Sequence, residues 1–420
     1  MLTTGISFLL LGVAFIVTTL VYPYVLKFAR DHDVVDNPDA RKLQRVPVPV
    51  MGGTTVFIGL LVSVLICFFI SGDPVLLKVL GLLAVMYLLG AVDDIKDISP
   101  SLRFLIESLV VWLMVLFLDV EINDFHGFLG IHKIPDAASV PLSLIAGVGI
   151  INGVNLIDGV DGYCSTYGAM ACALFAILFF YCGDMVSFTL ALIAIGALIP
   201  FFFHNVFGKS SKMFLGDGGS LMLGTLLTYF TFVALTSGSP CDIYDVTGLS
   251  LVAICLAVLA VPVFDTLRVM SSRMLHGVSP FHPDKTHLHH MFIELNYSHL
   301  LTSGTIVLGN GLIIVLQVIS WLAGASINFQ VFFVIALALL LTWVLYFVVE
   351  RERRKNDGEG SDRYRRWCER GKALNLSRTR AWMFIRNVVD SRFFAGKAPA
   401  SEDVTSDQSP KPPRIDPRIG

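Results

Sequence analysis

The sequence predicts an all-α integral membrane protein of about eleven transmembrane helices, and three observations carry that reading. The chain of 420 residues is 55% hydrophobic and 15% charged, with a mean hydropathy of +0.71, whereas a soluble domain carries roughly 25% charged residues. Apolar runs long enough to cross a bilayer, which takes about 20 residues, recur along the chain. Lys and Arg then fall almost entirely in every second loop.

The runs lie at 4–26, 49–71, 75–92, 103–120, 138–154, 164–182, 185–203, 218–237, 248–270, 301–323 and 328–349. The first has no basic segment before it and no small-residue cleavage pattern after it, so it is expected to be a retained helix. The fifth is interrupted by Gly147, Gly149 and Gly153. Loops after odd-numbered runs hold Lys27, Arg30, Arg41, Lys42, Arg45, Lys96, Arg103, Lys209, Lys212, Arg268, Arg273 and Lys285, and those after even-numbered runs hold Lys78 and Lys133. The positive-inside bias therefore puts the N-terminus outside and the odd loops and C-terminal tail in the cytoplasm. The outward segment 119–137 is expected to form a small hairpin or interfacial piece.

Residues 1–350 read as the polytopic membrane domain, 351–397 as a basic cytoplasmic tail, and 398–420 as a disordered terminus rich in Pro, Ser, Asp and Lys. Within the tail, 376–394 mixes basic and apolar residues at helical spacing, which suits an amphipathic helix on anionic lipid or a soluble helix. The seven cysteines show no C-x-x-C spacing and read as small core residues. Nothing suggests a nucleic-acid partner, and no internal repeat of the kind common in transporters is visible.

Five polar clusters fall in loops separated by even numbers of runs, so they can meet at one membrane face. Asp93-Asp94-Ile95-Lys96-Asp97 is either a solvated helix cap or a carboxylate group for a hard cation and diphosphate. Asn152, Asn155, Asp158 and Asp161 recur every three residues and on a helix would line one face. Burying them is costly unless each is paired or bound to a cation. Gly216-Asp217-Gly218-Gly219 opens the eighth run, where free N–H groups suit an anion and Asp217 also suits a simple N-cap. His282, His287, His289 and His290 invite a zinc reading, but without cysteine or the usual spacing they better suit hydrogen bonding to phosphate. Arg41-Lys42, ahead of Pro47 and Gly52-Gly53, is the fifth cluster, and alone it reads as a positive-inside anchor.

In this order the clusters resemble the polyprenyl-phosphate N-acetylhexosamine-1-phosphate transferase family (glycosyltransferase family 4), over residues 35–295 or so. The resemblance leans to bacterial enzymes that load UDP-GlcNAc, or a related UDP-N-acetylhexosamine, onto undecaprenyl phosphate at the start of cell-surface glycan synthesis. It implies a multi-pass protein of the bacterial inner membrane with a cytoplasmic active site, and a homodimer by analogy. It also implies Mg²⁺, with Mn²⁺ as substitute, bound by Asp217 and Asn155. Asp93, Asp94 and Asp217 match catalytic positions. Arg41, Lys42, Asn152, Asp158, Asp161, His287, His289 and His290 match substrate-binding ones. The alternatives are transfer of phospho-N-acetylmuramoyl-pentapeptide, although His282-Pro-Asp-Lys departs from that branch, or of another UDP-HexNAc. From another class, a secondary transporter predicts mid-membrane charges, yet the helices are almost free of them, with Glu107 and Asp265 as exceptions, each near a predicted cytoplasmic end.

Overall fold

A computed structural model describes residues 2–36, 46–243, 248–279, 286–356, 360–374, 376 and 379–391. The expected Arg41, Lys42 and His282, and the 398–420 terminus, lie outside these residues. In chain order the elements are α1 (Thr4–Asp31), β1 (Val35–Asp36), β2 (Val48–Pro49), α2 (Gly52–Ser71), α3 (Pro74–Lys96) and α4 (Pro100–Leu118). They continue with β3 (Asp124–Phe128), β4 (Ile131–Lys133), α5 (Asp136–Leu156), α6 (Tyr163–Cys182), α7 (Met185–Phe207), α8 (Gly216–Leu235) and α9 (Pro240–Ile243). Then come α10 (Leu251–Val258), α11 (Ala260–Leu275), α12 (Leu288–Glu294), α13 (His299–Leu322), α14 (Ile327–Leu339), a π-turn at Leu340–Val344, α15 (Leu345–Arg353), α16 (Asp362–Ala373) and α17 (Arg380–Asp390). Among the described residues ten helices are long and apolar enough to cross a membrane, and an eleventh span is bent. The protein is an all-α integral membrane protein.

Helix α8 is the axis of the bundle: every residue from Gly218 to Leu235 is buried, against α2, α3, α5 and α6 among others. A helix with no outward face must satisfy its own hydroxyls. Thr225, Thr228, Thr231 and Thr236 each donate to the carbonyl four residues back, at 2.7, 2.9, 2.8 and 2.7 Å. Small residues let the neighbours close in. A Cβ on Gly90 of α3 would lie 2.3 Å from the Asp217 carbonyl carbon, so α3 and α8 touch backbone to backbone where both carry carboxylates.

The ninth span differs from the straight helix its hydropathy predicts. It bends by 70° between α10 and α11. Pro262 has no N–H to give the Val258 carbonyl four residues back, and the freed groups find side chains instead. Asn310, fully buried on α13, donates to the carbonyls of Ala257 (3.1 Å) and Val258 (3.2 Å) and accepts from Val261 N–H (3.0 Å). The Tyr167 hydroxyl also donates to Val258 (3.0 Å). In lipid each of these groups must be paired within the protein.

The two ends of the bundle are distinct. At one, the β3–β4 hairpin, which fills the expected outward piece, ties to α8 through Ser237 N–H on Asn123 Oδ1 (2.7 Å), and Ser7 near the start of α1 meets Thr189 (2.7 Å). At the other, the C-terminal ends of α1, α3, α5 and α7 meet the first turns of α4 and α8.

Replacing Asn310 by Leu keeps the volume but strands buried backbone groups at about 1–3 kcal/mol each. Thermal unfolding of the purified variant is expected to show a clear loss of stability, and an unchanged melting temperature would refute Asn310 as the support of the bend.

Candidate active site

Asp93 and Asp94 occupy the last turn of α3, where their spacing sends them to different partners. Asp93 accepts from the Ile98 N–H (2.6 Å) and from Arg103 Nη1 (3.1 Å). Asp94 accepts from the N–H groups of Asp217 (2.9 Å) and Gly218 (3.2 Å), and so caps α8 from another helix. Asp217 is therefore not its own helix's cap. Gly216 makes this approach feasible, with φ of +75° and no Cβ to strike the Asp94 carboxylate 2.5 Å away.

Arg103, in the first turn of α4, gathers the acids. Its guanidinium donates to Glu107 (3.0 Å), Asp93 (3.1 Å) and Asn155 Oδ1 (2.7 Å), and lies 3.5 Å from Asp217. Asn155 turns its amide nitrogen to Asp217 (2.6 Å) and Ser220 (2.9 Å). Glu107 in turn accepts a short hydrogen bond from Asn152, so Asn152 acts behind Arg103, whereas the sequence suggested that it faces substrate. The side chain of Asp217 is 35% exposed against 11% for Asp93 and 17% for Arg103, which makes it the member of the set most open to a soluble ligand. Beside Asp94 lies a cavity of about 30 Å³, lined by Val34, Val50, Met51, Tyr87 and Ala91 among others.

The expectation that Asn152, Asn155, Asp158 and Asp161 share one helical face needs correction. Helix α5 ends at Leu156, and the glycines at 159 and 162 carry the chain into a turn. Asp158 remains near Asp217 and Asp94. Burial, reinforced by those charges and Asp161, pushes its carboxyl well above the usual range. Asp161 points elsewhere, to Lys212 Nζ (2.6 Å) and His299 Nδ1 (2.7 Å). Burial alone would raise its pKa, but these two partners hold it below the ordinary value.

The histidine segment is fixed by α11, which the bend at Pro262 redirects. Asp265 accepts from Arg268 (2.7 Å), His287 Nδ1 (3.0 Å) and the Leu288 N–H (3.1 Å), capping α12 while orienting His287. Arg268 is itself 1% exposed, donates to the Thr286 carbonyl (2.6 Å) and lies 3.8 Å from the Tyr346 ring centre. The buried Nε2 of His287 has no hydrogen-bond partner among the described residues. His289 stacks on His287 at 5.8 Å and adjoins Gly159, which brings the histidines to the 157–162 turn. Burial, then His290 and His287, pull the His289 pKa well down, so it is neutral at pH 7.

Sequence reasoning missed Arg103, Asp265, Arg268, Lys212 and His299 as site-building residues. Glu107 and Asp265 carried the available signal, as charges inside apolar runs that demand a partner.

Asp265→Leu is expected to cost about 3–5 kcal/mol, because it leaves Arg268 buried without its counter-charge. Adding Arg268→Met should recover in a thermal melt the part of that loss caused by the unpaired guanidinium, while the lost cap on α12 remains. A double variant no more stable than Asp265→Leu would count against an unpaired Arg268 as a source of the loss.

Residues 76–235 match the family described as glycosyl transferase family 4. The chain is 28% identical over 295 residues to the probable undecaprenyl-phosphate N-acetylglucosaminyl 1-phosphate transferase of Bacillus subtilis, covering 69% of this chain and 79% of that protein. It is 28% identical to the undecaprenyl-phosphate alpha-N-acetylglucosaminyl 1-phosphate transferase of Yersinia pestis, over 74% of this chain and 83% of the relative. Against the protein of that same name in Escherichia coli K12 it is 26% identical, over 68% and 76% respectively. The family match runs over α3–α8, the helices that carry the acidic site, and marks this part of the chain as similar to glycosyl transferase family 4.

Proposed function

We propose that the protein transfers an N-acetylhexosamine-1-phosphate, GlcNAc-1-phosphate as first choice, from its UDP-sugar to undecaprenyl phosphate. The products are undecaprenyl-diphospho-HexNAc and UMP, and the step initiates a cell-surface polysaccharide. The observation that carries this reading is the convergence of Asp93, Asp94, Asn155 and Asp217 around Arg103 at one end of a membrane bundle. The names of the relatives support the class of reaction, that of a polyprenyl-phosphate HexNAc-1-phosphate transferase. The basic residues of the odd loops favour the cytoplasmic face of a bacterial inner membrane for this end.

The chemistry joins one phosphate to another, so the obstacle is the crowding of negative charge. The donor set fits a hard divalent cation: carboxylate and amide oxygens meet around a guanidinium that already balances them. Mg²⁺, or Mn²⁺ in its place, held by Asp217 and the Asn155 oxygen, would screen the phosphates when bound.

The residues divide the remaining work. Asp94 borders the apolar cavity, which suits a lipid phosphate whose tail stays in the bilayer, and serves as the base that takes its proton. The lipid phosphate oxygen forms a bond to the β-phosphorus of the UDP-sugar as the α–β anhydride bond breaks and UMP departs. Asp93 accepts from Arg103 and from the Ile98 N–H, and is assigned the task of holding Arg103 in place. Asp158 and the Asp161–Lys212 pair border the nucleotide-sugar side. His287, held by Asp265 through Nδ1, is assigned to the phosphate side, where Nε2 can donate when the ring carries both protons.

The test is acceptor-dependent UMP release by purified protein with undecaprenyl phosphate and Mg²⁺ across a panel of UDP-sugars. One UDP-HexNAc is expected to support turnover, and EDTA to silence it. Asp94→Asn and Asp217→Ala are each expected to lower turnover by about 10²-fold or more, with insertion and purification unchanged. Near-normal activity in either variant would remove that residue from the chemistry.

A further inference from the structure

The tail helix α17 ends in an acid that reaches back into the membrane domain. Asp390 is 2% exposed. Its carboxylate accepts from the backbone N–H groups of Lys209 (3.0 Å), Ser210 (3.4 Å) and Ser211 (3.0 Å) and from the Ser211 hydroxyl (2.7 Å). Three successive amides closing on one carboxylate form an anion-binding nest, here filled by a residue about 180 positions further along the chain. Burial would raise the Asp390 pKa, but these donors hold it below the ordinary carboxylate value, so it is ionised at neutral pH. Trp382, on the preceding turns of α17, packs against Phe207 at the end of α7 with ring centres 4.7 Å apart.

The carbonyl side of the same loop is held independently. Tyr22 donates to the Ser211 carbonyl (2.8 Å), Arg30 to that of Ser210, and Asn205 to that of Met213 (2.9 Å). The loop is thus gripped by α1 and α7 through its oxygens and by the tail through its nitrogens. The next residue is Lys212, whose Nζ meets Asp161 at 2.6 Å.

We propose that Asp390 is a positioning residue for the transferase site: by fixing the backbone of Lys209–Ser211 it holds the Lys212 side chain on Asp161. The proposal rests on the transferase reading, in which Asp161 borders the nucleotide sugar. It assigns the tail a role in substrate binding, exerted through a loop, with no contact between tail and substrate.

The experiment uses full-length protein in detergent and two readouts. Tryptic cleavage after Lys209 and Lys212 reports the hold on the loop whatever the activity. Steady-state kinetics with the UDP-sugar report its consequence. In Asp390→Ala, cleavage at both sites should accelerate and KM for the UDP-sugar should rise about tenfold, with kcat within roughly twofold, the signature of lost substrate binding. Asp390→Asn keeps an acceptor oxygen and should fall between the variant and wild type. Trp382→Ala undocks the helix from Phe207 without touching the nest and should move both readouts in the same direction. Unchanged cleavage in Asp390→Ala overturns the proposal, and so does faster cleavage with an unchanged KM. Wild-type protein that releases no UMP with any UDP-sugar would instead sink the transferase reading, and the cleavage rates would still decide whether Asp390 holds the loop.

Discussion

The guanidinium of Arg103 is the interaction on which the site depends. Three carboxylates from three helices, Asp93 on α3, Glu107 on α4 and Asp217 on α8, come within 3.0–3.5 Å of it at individual distances of 3.1, 3.0 and 3.5 Å. Without a central cation, like charges at the end of an apolar bundle would drive those helices apart. A guanidinium suits the task better than an ammonium, because its planar fork addresses several acceptors at fixed angles. Asn155 completes the ring by giving its oxygen to Arg103 and its nitrogen to Asp217. The same residues that assemble an anionic site therefore fix its geometry before any ligand arrives.

A second constraint acts on the histidine side, and it comes from the backbone. Pro262 breaks the hydrogen-bond ladder inside a span, and Asn310 with Tyr167 satisfies the groups set free. The bend redirects α11 so that Asp265 and Arg268 meet the segment carrying His287. A polar side chain in mid-span, a proline and a buried ion pair are each unfavourable alone in an apolar bundle. Together they form one structure that places an imidazole.

Most of the helices were legible from apolar length, because a span has few ways to satisfy its backbone other than helix. The acidic motifs were legible too, since Asp93-Asp94 and Gly216-Asp217 fall in loops of the same parity. What hydropathy could not reveal was partnership. A window average passes over Pro262 and Asn310, which lie 48 residues apart by their numbering and act on one break. The three-residue spacing of Asn152 to Asp161 suggested a single helical face, yet the helix ends at Leu156 and the turn beyond it sends Asp161 to Lys212. Arg103 was counted as an orientation signal, although the charge of Glu107 one turn later called for a neighbour. Asp390 carried no signal at all, because the nest that holds it is made of backbone amides.

Asp94 has two tasks that bear on each other. Its carboxylate caps the first turn of α8 through the amides of Asp217 and Gly218. The same carboxylate borders the apolar cavity where the proposed base would meet the lipid phosphate. A carboxylate that takes up a proton gives up much of its strength as an acceptor, so protonating Asp94 weakens the cap on the turn that bears Asp217. In the proposed reaction, proton removal from the acceptor and the grip on the donor's phosphates are then linked through two hydrogen bonds. The backbone contact of Gly90 with Asp217 limits how far that turn can move in response. Close packing of α3 on α8 thus lets the cap loosen while Asp217 keeps the place that the proposed reaction requires of it.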